Sequence, residues 1–140
     1  MIRVAGNIVA PSQIASVEFA AERFGIPLVV LMGHTRCGAI EATLEAIARP
    51  DDESLHPLRS IVDRVRPAIE PLTMTDLARD PDELRRHCVR ANVLACANHL
   101  RHGSPALERL VLGGQLAVVG AEYDLESGNV DFFDGVPSAE

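Results

Sequence analysis

At 140 residues the chain is the size of one domain, residues 1–140, and long enough to bury a real core. Its 47% hydrophobic and 24% charged content fits a globular protein, and a net charge of −7 argues against nucleic acid or an anionic membrane as partner. No apolar run approaches the ~18 residues of a membrane span, the first residues do not read as a signal peptide, and three cysteines without a dense framework point to free thiols or metal ligands in a reducing cytoplasm.

Residues 1–4 read as the tail of a strand, and Ala5-Gly6-Asn7 as a turn in which Gly6 suits positive φ or close backbone approach. A helix follows from Pro11, capped by Ser12, with Ile14, Val17, Ala21 and Phe24 as its apolar stripe. Gly25 ends it, and Pro27 prevents its continuation. Residues 28–31 then form a short valine- and leucine-rich run, the signature of a buried strand. The run stops at Gly33, and a second helix begins after Gly38 with Ile40, Leu44 and Ile47 on one face.

Beyond a polar, proline-bearing loop over residues 49–54, a helix is expected over 55–65 and a break at Pro67. The segment up to Asp80 is irregular. Asp80-Pro81-Asp82-Glu83 then starts a long helix with an Asp cap, Pro at the first position and acids in the first turn. It runs to about His102 and closes at Gly103, and Ser104-Pro105 repeats the start signal for a shorter helix. Residues 115–123 read as another buried strand, and 130–133 as an antiparallel edge strand after the turn at Glu126-Ser127-Gly128. The tail after Gly135 reads as loose. Strand–helix alternation predicts an α/β domain with a mainly parallel sheet flanked by helices.

The chemistry concentrates where the first strand hands over to its helix, since open α/β sheets collect ligands at the carboxyl ends of strands. There His34 and Cys37, three residues apart, are ordinary zinc ligands within reach of one ion. Cys37 also stands at a helix start, where the dipole and unpaired N–H groups favour a thiolate. Gly33 and Gly38 give the backbone room on both sides. A capping histidine beside a buried cysteine is the plainer interpretation of His-x-x-Cys alone.

The wider pattern favours the metal. Arg3-Val4-Ala5-Gly6-Asn7, Ser16-Val17-Glu18-Phe19-Ala20 and Gly33-His34-Thr35-Arg36-Cys37-Gly38-Ala39, together with Asn92-Val93 and the ending Gly120-Ala121-Glu122-Tyr123-Asp124-Leu125-Glu126-Ser127-Gly128-Asn129-Val130, closely resemble the β-class carbonic anhydrases in the same order. The resemblance implies that family's fold, a zinc cofactor, reversible hydration of carbon dioxide to bicarbonate, and assembly as homodimers or larger homo-oligomers. It assigns His34 and Cys37 as two of three protein ligands, with Gly6, Gly33 and Gly38 around the site. The family's remaining ligand lies in a Cys-x-Asp-x-Arg motif, whose Asp and Arg pair beside the metal. That motif does not occur in these 140 residues. The expectation is therefore a shortened relative without the family's N-terminal helices and first strand, with no catalytic set intact. The alternative expectation is a non-catalytic homologue that binds a metal or anion, or only oligomerises.

The other candidate ligands are weaker. Cys88 and Cys96 share the apolar side of the long helix and read as packed core. His87, His99 and His102 read as surface or helix-end residues, and His56 as a loop histidine without a partner. Glu41 and Asp124 could offer oxygen ligands, but read as structural or solvated. A redox role for Cys37 lacks a nearby resolving cysteine. The first strand is expected to keep an open edge at which two chains could pair, bringing two His34/Cys37 sets together.

Overall fold

The computed structural model describes residues 1–136. Five helices, α1 (Pro11–Phe24), α2 (Gly38–Ala48), α3 (Arg59–Ile69), α4 (Pro81–Arg101) and α5 (Pro105–Leu112), accompany three strands, β1 (Leu28–His34), β2 (Ala117–Tyr123) and β3 (Val130–Asp134). The strands form one sheet in the order β1-β2-β3. β1 and β2 run parallel, with Leu28 beside Ala117 and His34 beside Tyr123. β2 and β3 run antiparallel, with a register shift between Gly120 and Ala121. The fold is α/β with helices flanking the sheet, as expected, and the sheet is small and mixed, with β3 as the antiparallel edge strand anticipated over residues 130–133.

α4 packs across one face of the sheet, and it can come close because that face carries glycines. A Cβ on Gly33 would lie 2.6 Å from Val93 Cγ2, and one on Gly120 would lie 3.0 Å from Val93 Cγ1. Around this contact Val9, Leu31, Val93, Ala97, Leu100, Leu107, Leu116 and Val118 form one buried cluster, to which Ile14 and Val17 of α1 add. A second cluster joins Ile40 of α2 with Val65 and Ile69 of α3 and Cys88 and Val89 of α4. At about 25 cal/mol per Å² of apolar surface removed from water, these two clusters carry most of the fold's stabilisation.

Several local expectations need correction. Residues 1–4 are exposed and pair with no strand, although Val4 is extended at φ −139°, ψ 150°. The cap of α1 is Ala10 rather than Ser12, and Gln13 Oε1 accepts from the Ala10 N–H at 3.2 Å. Phe24 leaves the apolar stripe: it stands exposed at the helix end, edge-on to Phe19 with ring centroids 5.6 Å apart. The helix expected over 55–65 begins at Arg59, after a 3₁₀ segment Glu53–Leu58 containing Pro57, and continues through Pro67 to Ile69. Pro67 leaves one carbonyl of the preceding turn without its helical donor. Burial of Val62, Val65 and Ile69 along one side keeps the last turn helical. Of the tail read as loose, residues 137–140 lie outside the described residues.

Candidate metal centre

The site turn is made by β1 ending one residue beyond Gly33 and α2 starting at Gly38. Thr35 extends the parallel ladder by donating its N–H to the Tyr123 carbonyl at 3.0 Å. Arg36 takes positive φ, 55°, which turns the chain sharply. Cys37 then becomes the N-cap of α2, and its carbonyl accepts from the Ile40 and Glu41 N–H groups. The Cys37 side chain is nearly buried. His34 is half-buried, and its Nδ1 lies 2.8 Å from the Thr35 carbonyl. That bond makes Nδ1 the donor and leaves Nε2 as the nitrogen with a free lone pair.

The turn is braced from two sides. On one, the loop after β2 locks onto it: Leu125 N–H donates to Thr35 Oγ1 at 3.0 Å, and Arg36 pairs with Glu126 at 2.8 Å. Asp124 holds that loop by accepting from the Glu126 and Ser127 N–H groups. Those backbone N–H groups, Ser127 first, together with the Arg36 charge hold the Asp124 carboxyl below the usual carboxylate range. On the other side sits the 3₁₀ turn Ala5–Asn7. Gly6 takes φ +66° with its Cα so close to α2 and α3 that a Cβ would meet Ala39 at 3.2 Å and Val65 at 3.3 Å. Buried Asn92 of α4 fixes this turn by donating Nδ2–H to the Gly6 carbonyl at 2.8 Å. Gly6 and Gly33 thus frame the turn through packing, whereas Gly38 has open space around it.

The remaining candidates do not converge on His34 and Cys37. Glu41 is held by Arg85 of α4 at 2.8 Å. Cys88 is buried, and burial, followed by the Glu41 charge, pushes its thiol up to about 11. Cys96 is half-buried, with a thiol raised chiefly by desolvation. His87 and His99 are exposed, and His102 sits 3.0 Å from Glu108. His56 lines a polar groove with Arg49, Arg59 and Arg66 between α2 and α3. Among the described residues no group of three or more His, Cys, Asp or Glu side chains could hold a metal ion. His34 and Cys37 have the right donor chemistry for zinc, but their number falls one short of the three protein donors of a catalytic site.

Sequence reasoning missed two features. Arg90 of α4 reaches Glu122 at 2.8 Å and pairs with Asp131, while its guanidinium lies 4.7 Å from the Phe133 ring centroid. On the sheet face opposite α4, Leu28, Val30 and Met32 of β1 are exposed, whereas Val119 and Ala121 of β2 are buried. The alternating signal of β1 was visible, but pairing register alone decides which face α4 takes.

The carbonic anhydrase family model matches residues 1–130. Carbonic anhydrase 2 of Mycobacterium tuberculosis is 30% identical over 138 residues, covering 97% of this chain and 63% of its own length. The chain thus spans less than two thirds of the length of this relative. The β-carbonic anhydrase CcaA superposes with a TM-score of 0.76 at 24% identity, over 96% of this chain and 66% of that one, a likeness of fold. A tetrameric β-carbonic anhydrase of Sordaria macrospora superposes with a TM-score of 0.65 at 26% identity, over 96% of this chain and 67% of that one.

Proposed function

Because the chain belongs to the β-carbonic anhydrase family, we propose that it keeps the family scaffold and the His34–Cys37 part of a zinc site, as one domain over residues 1–140. Carbon dioxide and bicarbonate are the substrate pair of the complete site. Zinc, when bound, lowers the pKa of a coordinated water so that hydroxide is available near neutral pH. The two donors of this chain are too few to assign a step through the metal. What the chain's own residues do is narrower: the Thr35 carbonyl orients the His34 ring, Cys37 is held as the N-cap of α2, and the Thr35–Leu125 and Arg36–Glu126 bonds hold the turn.

The observation that carries this reading is the placement of His34 and Cys37 on one braced turn, at the carboxyl end of β1 and the start of α2. A homo-oligomer is part of it, supported by the tetrameric relative. No helix among the described residues is long and apolar enough to cross a membrane. Three free cysteines support a reducing, cytoplasmic setting. The donor count favours a second reading, a non-catalytic homologue that binds a metal or anion, or only oligomerises.

Zinc content by elemental analysis, with stopped-flow carbon dioxide hydration on the same sample, tests the proposal. The expected result is zinc that a chelator strips readily, uptake reduced at least tenfold in Cys37→Ser and His34→Ala, and hydration close to background. Turnover abolished by Cys37→Ser would mean that the donor set is complete after all. A folded chain taking up no zinc from excess would leave the second reading, as an oligomeric scaffold.

A further inference from the structure

The groove between the end of α2 and the first two turns of α3 holds more cationic donors than the fold uses. Arg59, Val62, Asp63 and Arg66 fall on one stripe of α3 by helical period. With Arg49 and His56 they line a cavity of about 660 Å³. That volume lies within the ~300–1,000 Å³ of small-molecule sites. Part of the wall is apolar, from Ala46, Leu55 and the buried Val62.

The carboxylates of the groove leave these donors unsaturated. Asp52 is engaged elsewhere: it accepts from the Ser54 N–H at 3.0 Å and the Ser54 hydroxyl at 2.5 Å, and pairs with Arg49 at 3.1 Å. Arg59 has Asp63 at 4.0 Å, beyond hydrogen-bond reach. Arg66 gives Nη2–H to the Ala46 carbonyl at 3.2 Å, and the Glu70 carboxylate stands 3.8 Å from its Nε. That Nε is buried without a hydrogen-bond partner. Helical ion pairs of this kind are worth about 0.3–0.5 kcal/mol, so a ligand that supplies closer oxygens displaces them at little cost. Asp51 and Glu53 are exposed residues. Among the described residues no three His, Cys, Asp or Glu side chains could hold a metal ion. The groove therefore offers arginines to an anion rather than a carboxylate cage to a metal. With carboxylates beside the arginines there is no broad positive field, and recognition rests on donor geometry at close range.

We propose that this groove binds the phosphate group of a small organic phosphate ester. Arg59 and Arg66 stand two helical turns apart, about 10 Å along the axis, a span that two arginine side chains close between them. Their planar forks match phosphate oxygens with paired N–H···O bonds. A phosphate ester offers three terminal oxygens to Arg59, Arg66 and His56, whereas a carboxylate offers two and leaves one of the three unmet. Bare phosphate leaves the apolar wall of Ala46, Leu55 and Val62 unfilled, and the organic part of the ester belongs there. The site shares no residue with the His34–Cys37 turn and goes beyond the function proposed above.

Titration of the full chain with phenyl phosphate, followed by ¹H–¹⁵N shifts and calorimetry, tests this apart from zinc and turnover. The expected result is saturable one-to-one binding with shifts concentrated over residues 46–66. It should be at least tenfold tighter than binding of inorganic phosphate or benzoate. Arg59→Gln, at a side chain 70% exposed, should weaken it at least tenfold with unchanged far-UV circular dichroism, and Arg59→Lys should restore only part. Arg64→Gln, on the same helix but outside the groove, should leave binding intact. Should Arg59→Gln unfold, the exposed His56 gives the second variant, and His56→Gln should weaken binding likewise. No saturable binding at millimolar phenyl phosphate, shifts centred elsewhere, or affinity indifferent to these substitutions overturns the proposal. Benzoate bound as tightly as phenyl phosphate overturns the assignment to phosphate.

Discussion

Gly33 is one residue before His34, the proposed metal ligand, yet what fixes it is the helix beneath it. With Val93 fully buried and 2.6 Å from where a Cβ would stand, Gly33→Ala must push α4 away, at a cost of about 1–3 kcal/mol. Urea unfolding should show that loss. Asn92→Ala leaves the Gly6 carbonyl unpartnered, a loss of about 1–3 kcal/mol by the same measurement, and loosens the wall behind the site turn. Cys88 makes a pH prediction. Its thiol is pushed up to about 11 from an ordinary value of 9.0. Across that window the unfolded chain gives up the proton before the folded one, so stability falls as pH rises and is undiminished below it. Cys88→Ala should flatten that alkaline slope in unfolding measured across pH. The glycines framing His34 and Cys37 were legible in the sequence as punctuation. Their structural reasons were not, because the opposing residues, Val93 for Gly33 and Ala39 and Val65 for Gly6, lie far away in the chain.

At the scale of elements, the helix starts with local chemistry were the most readable. Asp80 accepts from the Asp82 and Glu83 N–H groups, and Ser104 from Leu107, as their sequence signatures imply. Pro67 misled because a rule of local geometry was outweighed by burial of Val62, Val65 and Ile69, which depends on α2 and α4. Least readable was the tie between α4 and the sheet. The Glu122 carboxylate is 7% exposed, and Arg90 is its ionic partner. Arg90→Met leaves that carboxylate buried without its countercharge, which costs about 3–5 kcal/mol. Adding Glu122→Leu should recover most of the loss, and a double-mutant cycle by chemical unfolding would show coupling well above 1 kcal/mol. Additive losses would mean that packing rather than charge holds α4 at this point.

For the molecule as a whole, strand–helix alternation and the motif order were enough to anticipate an α/β fold of the β-carbonic anhydrase family, which the match over residues 1–130 shows. Which sheet face α4 would cover could not be anticipated, since that contact joins residues far apart in the chain, Gly33 and Gly120 with Val93. The same division holds for the site. The residue types and spacing of His34 and Cys37 are local and visible, whereas which donors come together is a property of the fold, and among the described residues no group of three or more His, Cys, Asp or Glu side chains does so. The central claim is that these two side chains act together on one metal ion. Cobalt(II) titration reads it directly, because a thiolate ligand gives a sulfur-to-cobalt charge-transfer band. The account predicts a band with the intensity of one thiolate, lost in Cys37→Ser, weakened in His34→Ala and unchanged in Cys88→Ala and Cys96→Ala. No band at saturating cobalt, or a band that follows Cys88 or Cys96 instead, would contradict it.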